Sequence, residues 1–415
     1  MASCGLDFGT SNSAVALPSG QVLPIDPGAL SPRLFRSVLF FPEEGRASLA
    51  GHAAIEEYLH RSEGRFIQSV KGWLPSRTFT ATQIRNKAFR LDDLVALLLR
   101  KIREQAEAAA GQPLDDVVLG RPAVFSTDPE QEQLAQDRLQ RAAELAGFKC
   151  IRFLIEPIAA ALAYEATLDH DELVLVADFG AGTSDLTLMR LGPGRKHAQD
   201  RRPDVVASDG VHIGGDKFDA EIMRHKLLRH FGAGSTYQQL DKRMPIPSHI
   251  LGKLLSWHEM SFIRERSTQQ LIDHMLHASD NIPGIEALYD LVEENLGYRL
   301  FRAIEAAKIR LSSAESTTID FDEARVQIHE PLTRTELERF SRPLLDALRA
   351  CETGLLERAG LHSDAIDAVF LTGGSSQIPA VRRLFQQRFG ERRLRTADAF
   401  TSVAEGLGRA AATHA

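Results

Sequence analysis

The chain has 415 residues, of which 49 are basic and 56 acidic, and its formal net charge of −7 at pH 7 argues against nucleic acid as a main partner. At roughly 150 residues per domain, this length predicts two to three units that each bury a core of their own. Three cysteines, no signal-peptide pattern and no apolar run near the ~18 residues of a membrane span exclude a disulfide scaffold and a membrane protein, so we expect a cytoplasmic location.

The first predicted element is a β-hairpin that begins almost at the N-terminus. Residues 5–17 read GLDFGTSNSAVAL and place Asp7 where a strand is normally apolar. A single hairpin of this kind is usually only a structural turn, so it needs further support before a function is assigned. The turn is predicted at four small or polar residues, which are Gly9, Thr10, Ser11 and Asn12.

Strands and amphipathic helices alternate through the residues that follow. We predict strands at 37–41 and 115–125, and helices at 91–109 and 128–148. The helix at 128–148 has an Asp N-cap, a Pro in its first turn and a Gly stop. A further Ala-rich helix is predicted at 156–166. This alternation indicates an α/β fold.

The hairpin pattern occurs again in the second half of the chain. Residues 173–191 read LVLVADFGAGTSDLTLMRL, which repeats Asp-Phe-Gly, a small-residue turn and a β-rich exit. Asp7 and Asp178 occupy equivalent positions 171 residues apart, so we predict an internal duplication. The basic stretch at 194–204 lies between two β-like runs and is expected to be a solvated hairpin loop.

A third glycine-rich turn follows an apolar strand at 368–385, where Gly373 and Gly374 end the strand before a helix begins. Glycines allow backbone N–H groups to approach a ligand, and a helix N-terminus favours negative charge. One such loop holds phosphate weakly, whereas two hairpins and a helix start together could hold a triphosphate. Because carboxylates repel a polyphosphate unless a cation lies between them, Asp7 and Asp178 imply Mg²⁺.

These segments, in this order, resemble the nucleotide-binding domain of the DnaK-type, seventy-kilodalton heat-shock chaperones, within the actin-like ATPase superfamily. Three further segments share the resemblance, at 154–166, 210–222 and 305–313, and together the motifs span residues 5 to about 411. The branch that the chain resembles most is YegD-like, which is similar to DnaK but shorter. The resemblance implies an α/β actin-like ATPase fold, with a duplicated ribonuclease H-like motif and two lobes around a nucleotide cleft.

The same resemblance implies a division of the chain. The first lobe would span residues 1–169, with a subdomain inserted at about 41–114, and the second would span 170–398, with an insertion at about 215–318. Residues 399–415 would form a second hinge helix that returns to the first lobe. Two crossing helices could open a cleft to admit and release nucleotide. We expect neither the acidic-leucine linker nor the β-sandwich with which the larger chaperones grip unfolded peptides.

The catalytic residues follow from the resemblance and from charge logic. Lys71 would offset charge that develops on the γ-phosphoryl group, although taken alone it reads as a solvated lysine. Glu156 and Asp178 would orient or deprotonate the attacking water, and Thr183 is a further catalytic candidate. Three carboxylates would hold a hydrated Mg²⁺, namely Asp7, Asp178 and Asp185. The phosphates would be contacted by Gly9, Thr10, Ser11, Asn12, Gly180, Gly182 and Thr183.

The nucleoside would be bound by residues of the second lobe. Ile309 stands where some relatives carry Arg, so aliphatic packing would replace cation stacking on the base. The phosphate turn has Ala181 in place of a third glycine, which is tolerated if its φ is negative. The predicted nucleotide contacts are Gly214, Gly215, Glu305, Lys308, Ser312, Gly373, Gly374, Ser375 and Ile378.

The segment between the second hairpin and the third loop is harder to interpret. Apolar residues recur at helical spacing over 285–311, which predicts buried helices. Residues 231–284 do not match the chaperone pattern and are either family-specific helices or a partner surface. Two histidine pairs have spacings that suggest a metal but lack the Cys or carboxylate set of a closed zinc site: His225 with His230, and His274 with His277.

The resemblance implies a slow, monomeric ATPase that binds ATP or ADP with Mg²⁺ and couples its nucleotide state to lobe closure. Its function would be chaperone-like, with a protein client or co-chaperone of unknown identity. Two other classes remain open at this point. One is a sugar-kinase-like phosphotransferase, in which a carboxylate such as Asp178 takes the proton of a substrate hydroxyl. The other is an actin- or MreB-like filament-forming ATPase.

Overall fold

The computed structural model describes residues 2–44, 47–61, 64–196, 198, 201–260, 263, 265–396 and 400–412. Within them, the strands are β1 (Ser3–Phe8), β2 (Asn12–Ala16), β3 (Phe35–Arg36), β4 (Val38–Pro42), β5 (Leu49–Ala50), β6 (Gly64–Gln68), β7 (Ala81–Ile84), β8 (Lys87–Arg90), β9 (Asp116–Arg121), β10 (Cys150–Ile155), β11 (Glu172–Phe179), β12 (Ser184–Leu191), β13 (Val205–Val211), β14 (Thr236–Gln239), β15 (Lys242–Pro245), β16 (Ser316–Glu323), β17 (Val326–Thr333), β18 (Ala368–Thr372) and β19 (Leu394–Thr396). The α-helices are α1 (Gly51–Arg61), α2 (Leu91–Ala110), α3 (Pro129–Leu145), α4 (Glu156–Glu165), α5 (Gly215–Ile222), α6 (Ser248–Lys253), α7 (Trp257–Met260), α8 (Arg266–Ala278), α9 (Ile282–Glu293), α10 (Gly297–Ser313), α11 (Arg334–Phe340), α12 (Arg342–Ala359), α13 (Pro379–Phe389) and α14 (Ser402–Ala412).

The chain divides into two compact units. The first comprises Met1–Gly214, Ala347–Gln377 and Val381–Ala415, and the second comprises Gly215–Asp346 and Ile378–Ala380. Residues 215–318, the insertion predicted for the second lobe, lie within the second unit. Among the described residues, no helix is both long enough and apolar enough to cross a bilayer.

Two five-stranded sheets of the first unit share one topology. Their strand orders are β3-β2-β1-β9-β10 and β13-β12-β11-β18-β19. In each sheet, three antiparallel strands continue into two parallel ones. Asp7 faces Ala14 across the first hairpin, and Asp178 faces Asp185 across the second. The matching orders and directions confirm the predicted duplication.

The helices predicted around the first sheet are confirmed. α2 begins at the predicted residue and extends one residue beyond the predicted end, and its buried face includes Leu94, Leu98 and Ile102. The side chain of Asp128 accepts hydrogen bonds from the backbone N–H groups of residues 130 and 131, which makes it the N-cap of α3. Local signals of spacing and capping were sufficient for these elements because both act within a single helix.

Small residues let α4 and α14 cross at backbone distance, as their sequences predict. A Cβ added to Gly406 of α14 would lie 1.7 Å from the carbonyl oxygen of Ala159 in α4, so only glycine fits there. A Cβ on Gly408 would lie 2.4 Å from the carbonyl oxygen of Leu17. Residue 399, the predicted start of the second hinge helix, and residues 413–415 at its end lie outside the described residues.

The second unit has its own core. Its strands form two hairpins, β14–β15 and β16–β17, and α5 continues into a π-helix at Met223–Leu227. The predicted core positions are all buried, which confirms the helical spacing: Ile285, Leu288, Val292, Leu300, Ile304 and Leu311. The segment 231–284, which the sequence could not assign, contains β14, β15, α6, α7, α8 and the start of α9.

The basic stretch at 194–204 is not simply a solvated loop, and that prediction is wrong at Arg201. This side chain is buried and donates hydrogen bonds to both carboxylate oxygens of Glu165, at 2.6 and 2.9 Å, and to Asp204 at 2.6 Å. Residues 197, 199 and 200 of the stretch lie outside the described part of the chain. A sequence window rich in charge gives no sign of a partner 36 residues away.

Candidate active site

The two duplicated aspartates lie in one electrostatic cluster within the first unit. Asp7 is near the end of β1, Asp178 is at the equivalent position of β11, and both are partly buried. Burial raises the pKa of Asp178 well above its usual range, and the charges of Glu156, Asp185 and Asp7 raise it further. The two hairpins therefore direct their carboxyl groups toward a shared environment.

Lys71 and Glu156 form an ion pair beside the aspartates. Lys71 lies in a 3₁₀ turn at Val70–Trp73, and its Nζ is 2.5 Å from Oε1 of Glu156, the first residue of α4. Both side chains are nearly buried, with 9% and 12% of their surface exposed. Burial alone would lower the pKa of Lys71, but the charges of Glu156, Asp7 and Asp178 and the hydrogen bond to Glu156 raise it above its usual value. The lysine is therefore held in its charged form.

Asp185 completes the cluster from β12. Thr183 donates a hydrogen bond from Oγ1 to Oδ2 of Asp185 at 3.1 Å. Burial and the charge of Glu156 raise the pKa of Asp185 to about 7, while Thr183, Lys71 and a backbone hydrogen bond from Ala123 act in the opposite direction. Burial and Glu156 likewise raise the pKa of Asp7 to about 7.

The cluster carries more negative than positive charge. Four carboxylates, those of Asp7, Asp178, Asp185 and Glu156, face the ammonium of Lys71, which acts on the three aspartates. Burial is the main cause of the raised pKa values of the three aspartates, and this imbalance of charge adds to it. A divalent cation would relieve it. Within the described residues, no group of three His, Cys, Asp or Glu side chains is placed to bind a metal directly, and the prediction above concerns a hydrated ion, whose contacts to carboxylates run through water.

The first predicted phosphate loop, residues 9–12, lies next to Asp7. A Cβ on Gly9 would lie 2.1 Å from the carbonyl oxygen of Asn12, so the tight turn requires glycine there. Thr10 and Ser11 are partly exposed at the turn, and Oδ1 of Asn12 accepts a hydrogen bond from Arg36 at 3.0 Å. The loop thus presents backbone groups and two hydroxyls beside the carboxylate cluster.

The second predicted phosphate loop, residues 180–183, packs against the backbone of Gly214. The backbone N–H of Gly180 donates to the carbonyl of Thr183 at 2.9 Å, which closes the turn. A Cβ on Gly214 would lie 2.3 Å from the carbonyl oxygen of Ala181, so the two backbones touch. The φ of Ala181 is not positive, which explains how alanine replaces glycine. A Cβ on Gly182 would meet nothing within 4 Å, so the space above this residue is open.

The third loop also contacts the second. Oγ of Ser375 donates to the carbonyl of Gly180 at 3.1 Å. Gly373 has a φ of +79°, and a Cβ there would lie 2.3 Å from the carbonyl oxygen of Phe179 at the end of β11. Gly374 approaches the ring of Phe400. The structure therefore brings the second and third predicted phosphate loops together in the first unit.

The remaining predicted nucleoside residues belong to the second unit. Glu305, Lys308, Ile309 and Ser312 lie on α10 at spacings of three, four and seven residues, which places them on one face. Ile309 is 59% exposed, so an aliphatic surface is available there. The contacts of these four residues with a nucleoside stay predictions.

Lys308 is already engaged within its unit. Its Nζ donates to Oδ2 of Asp219 at 2.7 Å and to the carbonyl of Gly215, the first residue of α5, at 3.1 Å. Burial raises the pKa of Asp219 to about 6, against the lowering effect of Lys308. A recess of about 280 Å³, a volume that includes solvent at its mouth, is lined by Lys308 and Ile378 among others.

The histidine pairs each have separate protein contacts. His225 stacks on Phe340 with ring centroids 4.3 Å apart, and His230 contacts Glu330 at 2.7 Å. His274 and His277 contact the backbone carbonyls of Gln238 and Asp273. These contacts position the four rings independently of one another.

Three residues that contact predicted site residues were missed by reasoning from the sequence. Gly120 of β9 leaves room for Glu156, since a Cβ added to Gly120 would lie 3.3 Å from Cγ of Glu156. Ala123 supplies a backbone N–H to Asp185, and Asp219 pairs with Lys308. The glycine in an apolar strand was a usable signal, because it marks a close approach. A backbone donor leaves no trace in residue type.

The Hsp70 protein family model matches residues 66–246 and 266–415, which together are more than half of the 415 residues. The chain belongs to the Hsp70 family. Hsp70 proteins share the actin-like ATPase fold, and the duplicated sheets agree with it. The chain is an ATP-binding, chaperone-like nucleotide-binding domain of the Hsp70 type, and members of the family are ATPases. The first hairpin lies outside the matched residues, so the placement of Asp7 rests on the duplicated topology.

Proposed function

We propose that this Hsp70-family chain hydrolyses ATP in a Mg²⁺-dependent reaction at the carboxylate cluster and couples its nucleotide state to lobe closure. The observation that carries the proposal is the convergence of the two duplicated aspartates on the Lys71–Glu156 ion pair. Both hairpins contribute one aspartate at the same register position. A structural turn repeated twice would not need a buried acidic group in each copy.

The residues of the cluster fit a hydrated magnesium ion. Oxygen donors are what Mg²⁺ prefers, and the ion commonly keeps several waters while bridging carboxylates to phosphates. Asp7, Asp178 and Asp185 supply the oxygen atoms, and the negative excess supplies the attraction. When bound, Mg²⁺ would offset the charge of the phosphate oxygens.

Each protein group has a distinct proposed task. Lys71, held charged by Glu156, stabilises negative charge that develops on the transferred phosphoryl group. Glu156 and Asp178 orient the attacking water or accept its proton. Thr183 fixes the orientation of Asp185. The glycine loops offer backbone N–H groups to the phosphates.

Lobe closure is supported by the crossing of α4 and α14. Gly406 lies directly on Ala159, and Glu156 lies one turn before Ala159 on the same helix. A pivot built from small residues transmits rotation without large side chains in the way. A protein client or co-chaperone would respond to this rotation. The YegD-like branch, the cytoplasmic location and the monomeric state remain predictions.

The proposal is tested by measuring phosphate release and nucleotide affinity in the same samples, with and without Mg²⁺. We expect Lys71→Met to lower the rate of ATP hydrolysis by about 10²–10³-fold, the usual effect of losing one electrostatic stabiliser, and to leave ADP affinity within a few-fold of wild type. We expect Asp178→Asn to lower both the rate and its dependence on Mg²⁺.

Asp364→Asn is the matched control, since this carboxylate is 95% exposed, and it should behave as the wild type does. Undiminished hydrolysis in both Lys71→Met and Asp178→Asn would contradict the proposal. Hydrolysis that required an added sugar, or assembly that pelleted only with ATP, would instead indicate a phosphotransferase or a filament.

A further inference from the structure

Ser69 has an unusual backbone conformation immediately before the turn that carries Lys71. It joins β6 to the 3₁₀ turn with φ 56° and ψ 26°, which is the left-handed helical region. Five described residues other than glycine have positive φ, and Ser69 is the buried one, since Arg85, Leu240, Asn295 and Ala324 are partly or fully exposed. Residues other than Gly, Asn and Asp rarely adopt this backbone conformation.

The serine hydroxyl does not account for the conformation. Asn and Asp tolerate left-handed backbone because their side chains hydrogen-bond locally. The Oγ of Ser69 is buried and has no hydrogen-bond partner in the described structure, and it does not cap the following turn. The strain is therefore imposed by the surrounding structure, and strained backbone held in this way occurs preferentially at functional sites.

The conformation of Ser69 determines where Lys71 points. The carbonyl of Ser69 accepts a hydrogen bond from Gly72 at 3.1 Å, and the carbonyl of Lys71 accepts one from Leu74 at 3.2 Å, so the turn is closed on both sides of the lysine. Two residues after Ser69, Nζ of Lys71 reaches Oε1 of Glu156 at 2.5 Å. A negative φ at residue 69 would redirect the chain before Lys71.

We propose that Ser69 is a positioning residue, whose left-handed backbone aims Lys71 at Glu156 and the carboxylate cluster. Its importance for catalysis rests on the proposed ATPase function. The effect of Ser69 on the position of Lys71 does not depend on the proposed function and is measured separately. If the left-handed conformation served only to reverse the chain, a substitution at residue 69 would change the stability of the fold but not the surroundings of Lys71 in the folded protein.

The test is the rate at which Lys71 is acylated by an amine-reactive ester, followed by mass spectrometry and normalised to the exposed Lys87. In the wild type, Lys71 is buried and paired, so labelling is slow. Ser69→Val places a β-branched side chain at a conformation that it disfavours. We expect Lys71 to be labelled about 5- to 30-fold faster, because a β-branched residue is disfavoured in this region beyond the cost that Ser69 already bears.

Other substitutions at residue 69 separate conformation from the hydroxyl. Ser69→Gly and Ser69→Asn favour the left-handed region and should keep Lys71 protected, and Ser69→Ala should do so too because only the hydroxyl is lost. Gln68→Val is the matched control, because this neighbouring position is in strand β6 and accepts a β-branched residue. If Ser69→Val does not fold, Ser69→Thr replaces it. The labelling rate of Lys71 in this variant should then lie between the rate in Ser69→Asn and the rate of a fully exposed lysine.

The outcomes are distinguishable. Faster labelling in the Val or Thr variant, with a lower kcat and unchanged ADP affinity, supports the inference. Equal protection of Lys71 in the folded Val, Thr and Asn variants would overturn it, and so would release of Lys71 in Ser69→Ala, because the hydroxyl would then hold the turn. If the wild type lacked ATPase activity, the proposed function would fail while the labelling series still decided the position of Lys71.

Discussion

Replacing Arg201 with alanine would remove the only described cation that bonds to both Glu165 and Asp204. Arg201, Glu165 and Asp204 are 6%, 1% and 6% exposed. Three short hydrogen bonds join them, at 2.6, 2.9 and 2.6 Å, and Glu165 is the last residue of α4, the helix that we propose as a hinge. The substitution therefore leaves two buried carboxylates without their shared partner, at the end of a helix that the proposed function requires.

Removing one partner of a buried ion pair costs about 3–5 kcal/mol, because the remaining charge is desolvated and uncompensated. Glu165 would keep a hydrogen bond from the backbone of Gly192, and Asp204 would keep its contact with Arg195. These remaining contacts place the expected loss for Arg201→Ala near the lower end, at about 3 kcal/mol. Arg201→Lys retains the charge but not the planar fork, so its loss should be intermediate.

The assay is urea unfolding followed by circular dichroism, with hydrogen exchange of the amides of α4 as a local measure. Arg77→Ala is the control, since Arg77 is 50% exposed in its pair with Glu130 and such surface pairs contribute about 0–1 kcal/mol. We expect faster exchange at the C-terminal end of α4 in Arg201→Ala only. A loss no larger than that of Arg77→Ala would show that Arg201 does not stabilise the two buried carboxylates.

Two further predictions concern the proposed phosphate site. Asp7 and Asp185 have pKa values raised to about 7, so their protonation stabilises the fold at acid pH, and this contribution is lost as the pH rises through 7. Because Mg²⁺ needs the ionised carboxylates, calorimetry of the ADP-loaded protein should show Mg²⁺ affinity rising by up to about tenfold per carboxylate between pH 6 and pH 8. A flat profile would contradict the metal assignment. Gly373→Ala combines a positive φ with a clash against a backbone carbonyl, so it should lower the free energy of unfolding by about 2–5 kcal/mol in chemical denaturation. The control Gly182→Ala places its Cβ in open space and should leave the free energy of unfolding nearly unchanged. Equal effects of the two substitutions would show that the third loop adjusts freely.

Much of the architecture was predictable because it is encoded locally or repeated. Residue spacing and capping define α2 and α3 within their own sequences. The repeated Asp-Phe-Gly pattern located two hairpins and identified Asp7 and Asp178 as equivalent, and the sheets have the same strand order in both halves. A repeat carries information about the whole fold that one motif does not.

The rest depended on contacts that residue types do not record. Arg201 reads as one more charge in a basic loop until Glu165 and Asp204 are placed around it. The backbone donor at Ala123 and the positive φ of Ser69 arise from the path of the chain, which tertiary packing determines. The chemical groups of the candidate site are therefore easier to predict from the sequence than the groups that orient them.

The most direct test of the central claim is a crystal structure of the protein with ADP, Mg²⁺ and a phosphate analogue. We expect one magnesium ion, with waters hydrogen-bonded to both Asp7 and Asp178, and Lys71 Nζ directed at the phosphate analogue. A nucleotide bound elsewhere, or an ion that contacted neither aspartate, would contradict the central claim.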